Sequence, residues 1–245
     1  MGNSIFAAYG SFLRGETWSN GRRFHDISLP KTVNRTEYLF EKCMGKKVLH
    51  MGCLGHAGNF REHMRNETWL HGIISKASEL CVGIDINSSV YDIVQQEFGT
   101  QNIQLLDLSK PVEDKDIGHL RQIQWDLILC PEVLEHITNH QQFLQNLRRL
   151  ASSRTILIIT GPNAFRFTNF INALRGFEAL NTDHKYWFTF FTLCRLLTDS
   201  GWKPSRLIYY NGAIQRYWLR MLCRLATQMS RTFSDGLIIE ASCLE

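Results

Sequence analysis

The sequence predicts an α/β fold built on a doubly wound, mostly parallel sheet with helices on both faces. Three observations carry this. From residue 46 onward short apolar runs alternate with segments of helical period, the pattern of repeated strand and helix units. The runs are continuous rather than alternating, as strands covered on both faces require. The first run, Val48-Leu49-His50-Met51, breaks into glycines at 52, 55 and 58. Such a turn can take positive φ and bring free backbone N–H groups close to a ligand.

Taken in order, residues 1–40 hold Phe6, Tyr9, Phe12, Trp18, Arg22, Arg23 and Phe24 without a clear period. They read as an N-terminal arm, either a strap over apolar surface or a lid over a site, ahead of one domain at 41–245. Strands are expected at 48–51, 81–85, 103–106, 127–130 and 155–160. Helices are expected at 69–77, 90–98, 133–150 and 190–198, the last closed by Gly201 at a capping position. The tail offers apolar runs at 206–210 and 236–240 around a long segment at 217–229. There is no internal repeat and no low-complexity stretch.

A chain of 245 residues, 44% hydrophobic and 20% charged, has the composition of one soluble globular domain with a full core. The formal net charge of +4 is too small to announce a nucleic-acid binder. Seven cysteines without a CxxC pair suit reduced thiols better than a disulfide framework. The N-terminus lacks the basic and apolar regions of a secretory signal, Phe6 stands where acylation of Gly2 would want Ser or Thr, and no run reaches membrane-spanning length. The expected setting is cytoplasmic, and Leu244-Glu245 reads as a cloning scar.

In an open parallel sheet ligands bind beyond the carboxyl ends of the strands, where strand order reverses. Those ends carry the glycine turn, Asp85, Asp107, Cys130-Pro131-Glu132 and Gly161-Pro162-Asn163. A carboxylate after the second strand is placed to accept both hydroxyls of a ribose, and one after the third can accept from the exocyclic amine of adenine. Each Asp taken singly reads equally well as a helix cap or turn former. In Glu132-Val133-Leu134-Glu135-His136, positions i, i+3 and i+4 would share one helix face, a set suited to a metal. The plainer reading is a helix start, with Pro131 in the first turn and acids against the dipole. Arg216, Arg220 and Arg224 stand four apart, a stripe suited to an anionic membrane surface or a phosphate-bearing substrate, or simply the solvated face of a core-facing helix.

From about 40 to 241 the chain resembles the class I S-adenosylmethionine-dependent methyltransferases. Val48-Leu49 and Gly52 match their first motif, although His50 replaces its acid and Leu54 and His56 stand where glycines are usual. Val82-Gly83-Ile84-Asp85-Ile86 looks like the ribose-binding strand end, Leu106-Asp107-Leu108 like the adenine contact, and 125–137 like the opening of the fourth strand and the motif that follows. The resemblance implies a Rossmann-like sheet of seven strands, the last antiparallel and supplied by 236–240. It implies S-adenosylmethionine as cofactor, with His50, Gly52, Cys53, Leu54, Gly55, Asp85, Ile86, Asp107, Leu108, Cys130 and Pro131 around it.

The implied reaction is methylation, expected at oxygen, of a small-molecule or RNA acceptor, with His136 and His184 as candidate catalytic bases. The Glu-x-x-Glu-His string also resembles that of small-RNA terminal 2′-O-methyltransferases, and 183–189 resembles the segment giving their further histidine. On that likeness Glu132, Glu135, His136 and His184 would hold a divalent metal, for which mixed imidazole and carboxylate ligands favour Mn, Fe, Co or Zn. The ubiquinone-pathway O-methyltransferases share the same string, so it does not select RNA. Peripheral membrane contact through 216–229 stays open. Two other classes remain, a binding protein of this fold without catalysis and a nicotinamide-dependent oxidoreductase. Leu54 counts against the second by interrupting Gly-x-Gly-x-x-Gly.

Overall fold

The computed structural model describes residues 4–25, 27–28, 31–99, 102–212 and 217–244. Seven strands, β1 (Lys47–Met51), β2 (Leu80–Asp85), β3 (Ile103–Leu105), β4 (Leu127–Pro131), β5 (Ile156–Pro162), β6 (Trp202–Tyr210) and β7 (Gly236–Cys243), form one sheet. The helices are α1 (Ile5–Leu13), α2 (Arg35–Cys43), α3 (Ala57–Arg65), α4 (Leu70–Ala77), α5 (Ser88–Glu97), α6 (Asp114–Arg121), α7 (His140–Leu150), α8 (Phe167–Leu174), α9 (Phe190–Asp199) and α10 (Tyr217–Met229). Short 3₁₀ turns lie at Leu134–His136 and Arg231–Phe233.

Strand order is β3-β2-β1-β4-β5-β7-β6. Pairing is parallel from β3 through β5, and β7 runs antiparallel to both its neighbours. The sheet therefore has the expected architecture, and order reverses between β1 and β4. β6 closes one edge, where Pro204, unable to donate to a ladder, coincides with an irregularity in register.

The two-residue period of the strands sorts the core into two layers. Val48, Leu127, Leu129, Ile158, Ile208 and Ile238 face Leu39 and Cys43 of α2 and Ile74 of α4. Leu49, Met51, Ile84, Ile128, Cys130 and Ile159 face the other way, toward α1, α6, α7 and α9. A smaller cluster of Cys53, Leu54, Phe60, Trp69, Val90, Val94 and Ile103 packs the region of α3 and α5.

Three expectations are corrected. The helix expected at 133–150 is interrupted. Glu132 has a φ of 54°, a 3₁₀ turn follows, Ile137 is extended, and α7 starts afresh behind Asn139, whose side chain accepts from the Gln142 N–H. The N-terminal region is not without period, because it holds α1, whose Ile5, Tyr9 and Leu13 are buried. The α1 helix packs against β6 and α9, with the Tyr9, Phe12 and Phe24 rings against Phe190 and Phe191, and none of the described residues lining the main cavity belongs to it. Arg35, which also lies within 1–40 and begins α2, does line the cavity.

The third correction concerns α10. Among its described side chains it buries Cys223 and Ala226 and turns Met221, Leu222, Leu225 and Met229 outward beside Arg224. It is not a core-facing helix with a purely basic outer face. Of the arginine stripe, Arg216 and the side chain of Arg220 lie outside what the structure describes.

Candidate active site

The carboxyl ends of β1, β2, β3 and β4 open into a cavity of about 910 Å³. Its floor begins at the glycine turn after β1. Gly52 has a φ of 67°, and a Cβ there would sit 2.5 Å from Val133 Cγ2, so the position needs glycine for conformation and for space. Leu54 is 2% exposed, its side chain packed into the small cluster with Phe60 and Trp69. Only its backbone N–H works toward the site, donating to Asp85 Oδ2 at 2.8 Å. The bulk that looks damaging in the sequence is thus packed into the wall of the cavity. The Trp69 indole donates to the Cys53 carbonyl at 2.7 Å, fixing the turn from behind.

Asp85, at the end of β2, accepts the Ile86 and Asn87 N–H groups at Oδ1, 2.7 and 2.9 Å away. With Leu54, three of its roughly four acceptor positions are filled. About one is left for a ligand hydroxyl, where the sequence suggested two. Asn87 Nδ2 donates to the Gly55 carbonyl at 2.9 Å, tying this loop to the glycine turn. Ile86 is 70% exposed along the cavity, an apolar shelf for a base. Across it stand Asp107 and Leu108. Partial burial raises the Asp107 carboxyl, but hydrogen bonds from Ser109 and Lys110 outweigh this and hold it below the ordinary carboxylate value.

His50 is 1% exposed beneath the cavity, its Nδ1 3.1 Å from Nδ1 of His71. Burial first, then His71 and Arg35, hold it well below the usual imidazole value of 6.5. A buried imidazole that resists protonation, backed by His71, therefore occupies the place of the usual acid. Cys130 is a correction. The pleat of β4 turns it into the core, fully buried, and it does not line the cavity, whereas Pro131 does.

At the far end the two glutamates part company. Glu132 accepts from Thr160 Oγ1 at 2.9 Å and Tyr210 OH at 2.6 Å, and pairs with Arg35 at 3.2 Å. These contacts hold a non-glycine residue in the left-handed region, a strain typical of functional sites. Glu135 is 1% exposed and neither carboxylate oxygen has a hydrogen-bond partner. Burial, then the charge of Glu132, pushes its carboxyl up to about 8.

Glu135, His136 and His184 offer ligand atoms all within 4.8 Å of one another, and among the described residues theirs is the group so placed. Glu132 is not part of it. His136 Nδ1 lies 3.0 Å from the Asp183 carbonyl. A carbonyl only accepts, so Nδ1 carries the proton and Nε2 is the basic nitrogen. His184 Nδ1 is buried without a partner, and burial, then His136, lowers this imidazole. His56, on the opposite lip, stands 3.6 Å from Asp183.

Arg35, Thr160 and Tyr210 were not anticipated from the sequence. They come from α2, β5 and β6, and only the sheet order brings them to Glu132. Asn87 had a local signal, since it precedes Ser88 at a helix start.

The residues around the glycine turn suit S-adenosylmethionine. Asp85, Ile86 and Asp107 line the cavity together and are placed for a nucleoside. A model described as a methyltransferase domain matches residues 23–206. The ubiquinone biosynthesis O-methyltransferase of Haemophilus ducreyi is 25% identical over 150 residues, covering 60% of this chain and 58% of that protein. Among solved structures, magnesium protoporphyrin IX methyltransferase from Synechocystis, with S-adenosylhomocysteine bound, is similar with a TM-score of 0.51 and 16% identity over 97% of this chain and 96% of that one. The small RNA methyltransferase HEN1 is similar with a TM-score of 0.51 and 14% identity, over 86% of this chain and 25% of that one. With three quarters of its length matched as a methyltransferase domain and the sheet order to go with it, the chain belongs to the class I S-adenosylmethionine-dependent methyltransferases.

Proposed function

We propose that the protein transfers a methyl group from S-adenosylmethionine to a hydroxyl oxygen of a small, phenol-like molecule. The observation that carries this is the cluster of Glu135, His136 and His184 at the end of the cavity away from Ile86 and Asp107. When bound, S-adenosylmethionine supplies an electrophilic methyl on a sulfonium and leaves as a neutral thioether. The glycine turn, Asp85 and the shelf of Ile86 hold the nucleoside, so that positioning supplies much of the acceleration. His136, basic at Nε2, takes the hydroxyl proton as the acceptor oxygen gains the methyl and the sulfur keeps the bonding pair. His184, neutral near pH 7, orients the acceptor beside it.

A divalent cation is a second reading, favoured by the orphaned oxygens of Glu135. Buried carboxylates without partners are costly, and the mixed donors fit Mn, Fe, Co or Zn. Glu135, His136 and His184 would hold the ion, which would lower the pKa of the hydroxyl. The name of the relative supports a small-molecule acceptor, whereas the likeness to the small RNA methyltransferase is one of fold. Seven free and buried cysteines support a reducing, cytoplasmic setting.

Mass spectrometry of mixtures with deuteromethyl cofactor tests the proposal, with catechols and short RNAs offered as acceptors. Label is expected on a catechol oxygen, reduced about a hundredfold by His136→Ala. Label on RNA alone would overturn the reading, and cofactor binding without any transfer would favour the non-catalytic alternative. If loss of turnover after chelation is restored by Mn²⁺ but not in Glu135→Gln, the metal reading holds.

A further inference from the structure

Two helices far apart in sequence share an unusual character. No residue of α8 is buried, and its neighbourhood exposes Phe165 at 58%, Phe170 at 49% and Leu174 at 70%. In α10, Leu222, Leu225 and Met229 lie on one ridge by their i, i+3, i+7 spacing and are 43%, 54% and 87% exposed. The helices touch one another, and Phe167 and Phe170 reach the Phe233 ring just beyond α10. Exposed apolar surface so concentrated marks an interaction site.

The charge around it is mainly positive. Residues 163–177 and 211–234 together contain six arginines and neither aspartate nor glutamate. The acids that bound these stretches are both held by the chain itself: Glu178 accepts from the Trp187 indole at 2.8 Å, and Asp235 accepts from the Gly212 N–H at 2.9 Å. Both helices also sit at the same end of the sheet. The α8 helix follows the carboxyl end of β5, and α10 connects the carboxyl end of β6 to the start of antiparallel β7. That is the end at which the catalytic cavity opens.

We propose that α8 and α10 form a docking face for an anionic lipid bilayer. Leu222, Leu225, Met229, Phe170 and Leu174 enter the acyl boundary, while the exposed Arg175 and Arg224 meet lipid phosphates. A protein partner would be expected to bring acids to match the arginines and polar groups at a rim, whereas an apolar ridge with the exposed Arg175 and Arg224 beside it matches the layered chemistry of a membrane surface. A separate recess of about 550 Å³, walled by Phe165, Phe170, Trp187 and Phe233, lies within this face. The Trp187 ring stands 6.3 Å from that of His184, so an apolar acceptor taken from the bilayer would arrive beside the catalytic histidines.

The surface is independent of the cofactor contacts and can be tested without turnover. Co-sedimentation is measured with vesicles of phosphatidylcholine alone and of phosphatidylcholine with phosphatidylglycerol. The protein is expected to partition onto the anionic vesicles and to be released by salt. Leu222→Glu with Met229→Glu should weaken partitioning by about tenfold or more, and Arg175→Gln and Arg224→Gln by about fivefold each, on anionic vesicles only. Unchanged circular dichroism and melting show that the variants fold. Equal partitioning onto both vesicle types, or none onto either, would overturn the proposal. So would a concentration-dependent dimer that Leu222→Glu with Met229→Glu converts to monomer, since a second copy would then own the face.

Discussion

Gly52 shows how one position can serve conformation, packing and function together. Its positive φ and the approach of Val133 leave no room for a side chain, so Gly52→Ala is expected to cost about 2 kcal/mol in urea denaturation and to weaken cofactor binding as the turn shifts. His50 makes a prediction about pH. Its imidazole is held low by burial, so between the folded and the unfolded value the unfolded chain takes a proton that the folded one refuses. Stability from this source is complete above about pH 6.5 and is lost as pH falls below it. Melting temperatures should drop on acidification, less steeply in His50→Asn. Asp85 was legible because strand ends in a parallel sheet announce themselves. Cys130 was misplaced because one-residue alternation within a buried strand leaves no mark in a run of apolar residues.

Among the elements, the break between β4 and α7 matters most for chemistry. A continuous helix would have set Glu132, Glu135 and His136 on one face, whereas the turn separates a clamped Glu132 from a buried Glu135. Both versions satisfy the same local spacing, and what decides between them is Arg35 and Tyr210, delivered by remote elements. The α7 helix has a second duty. Asn146, fully buried, donates to the Leu108 and Lys110 carbonyls at 2.9 and 2.8 Å, which steadies the loop carrying Asp107. Asn146→Ala should therefore cost roughly 1–3 kcal/mol of stability and weaken S-adenosylhomocysteine binding several-fold by calorimetry. Unchanged affinity would show that the loop holds its shape without α7. The strands were readable because burial on both faces imposes continuous apolar runs, and α4, α5, α7, α9 and α10 from period and caps, whereas α1, α2, α3, α6 and α8 were not anticipated. The face that α10 turns outward was not, because leucines and methionines at helical spacing look the same whether they meet core or bilayer.

At the scale of the molecule, reversal of strand order between β1 and β4 gathers the glycine turn, Asp85, Asp107 and the histidine cluster around one opening. The same topology brings α8 and α10 to that end, so the proposed docking face adjoins the cavity. No helix among the described residues is long and apolar enough to cross a membrane, and contact with lipid through these two helices requires none. The central claim is that this cavity holds S-adenosylmethionine despite its altered first motif. Isothermal titration with S-adenosylhomocysteine tests it most directly. One site per chain is expected, weakened about tenfold or more by Asp85→Ala, with no competition from reduced nicotinamide cofactors. Absence of binding, or binding that Asp85→Ala leaves untouched, would contradict it.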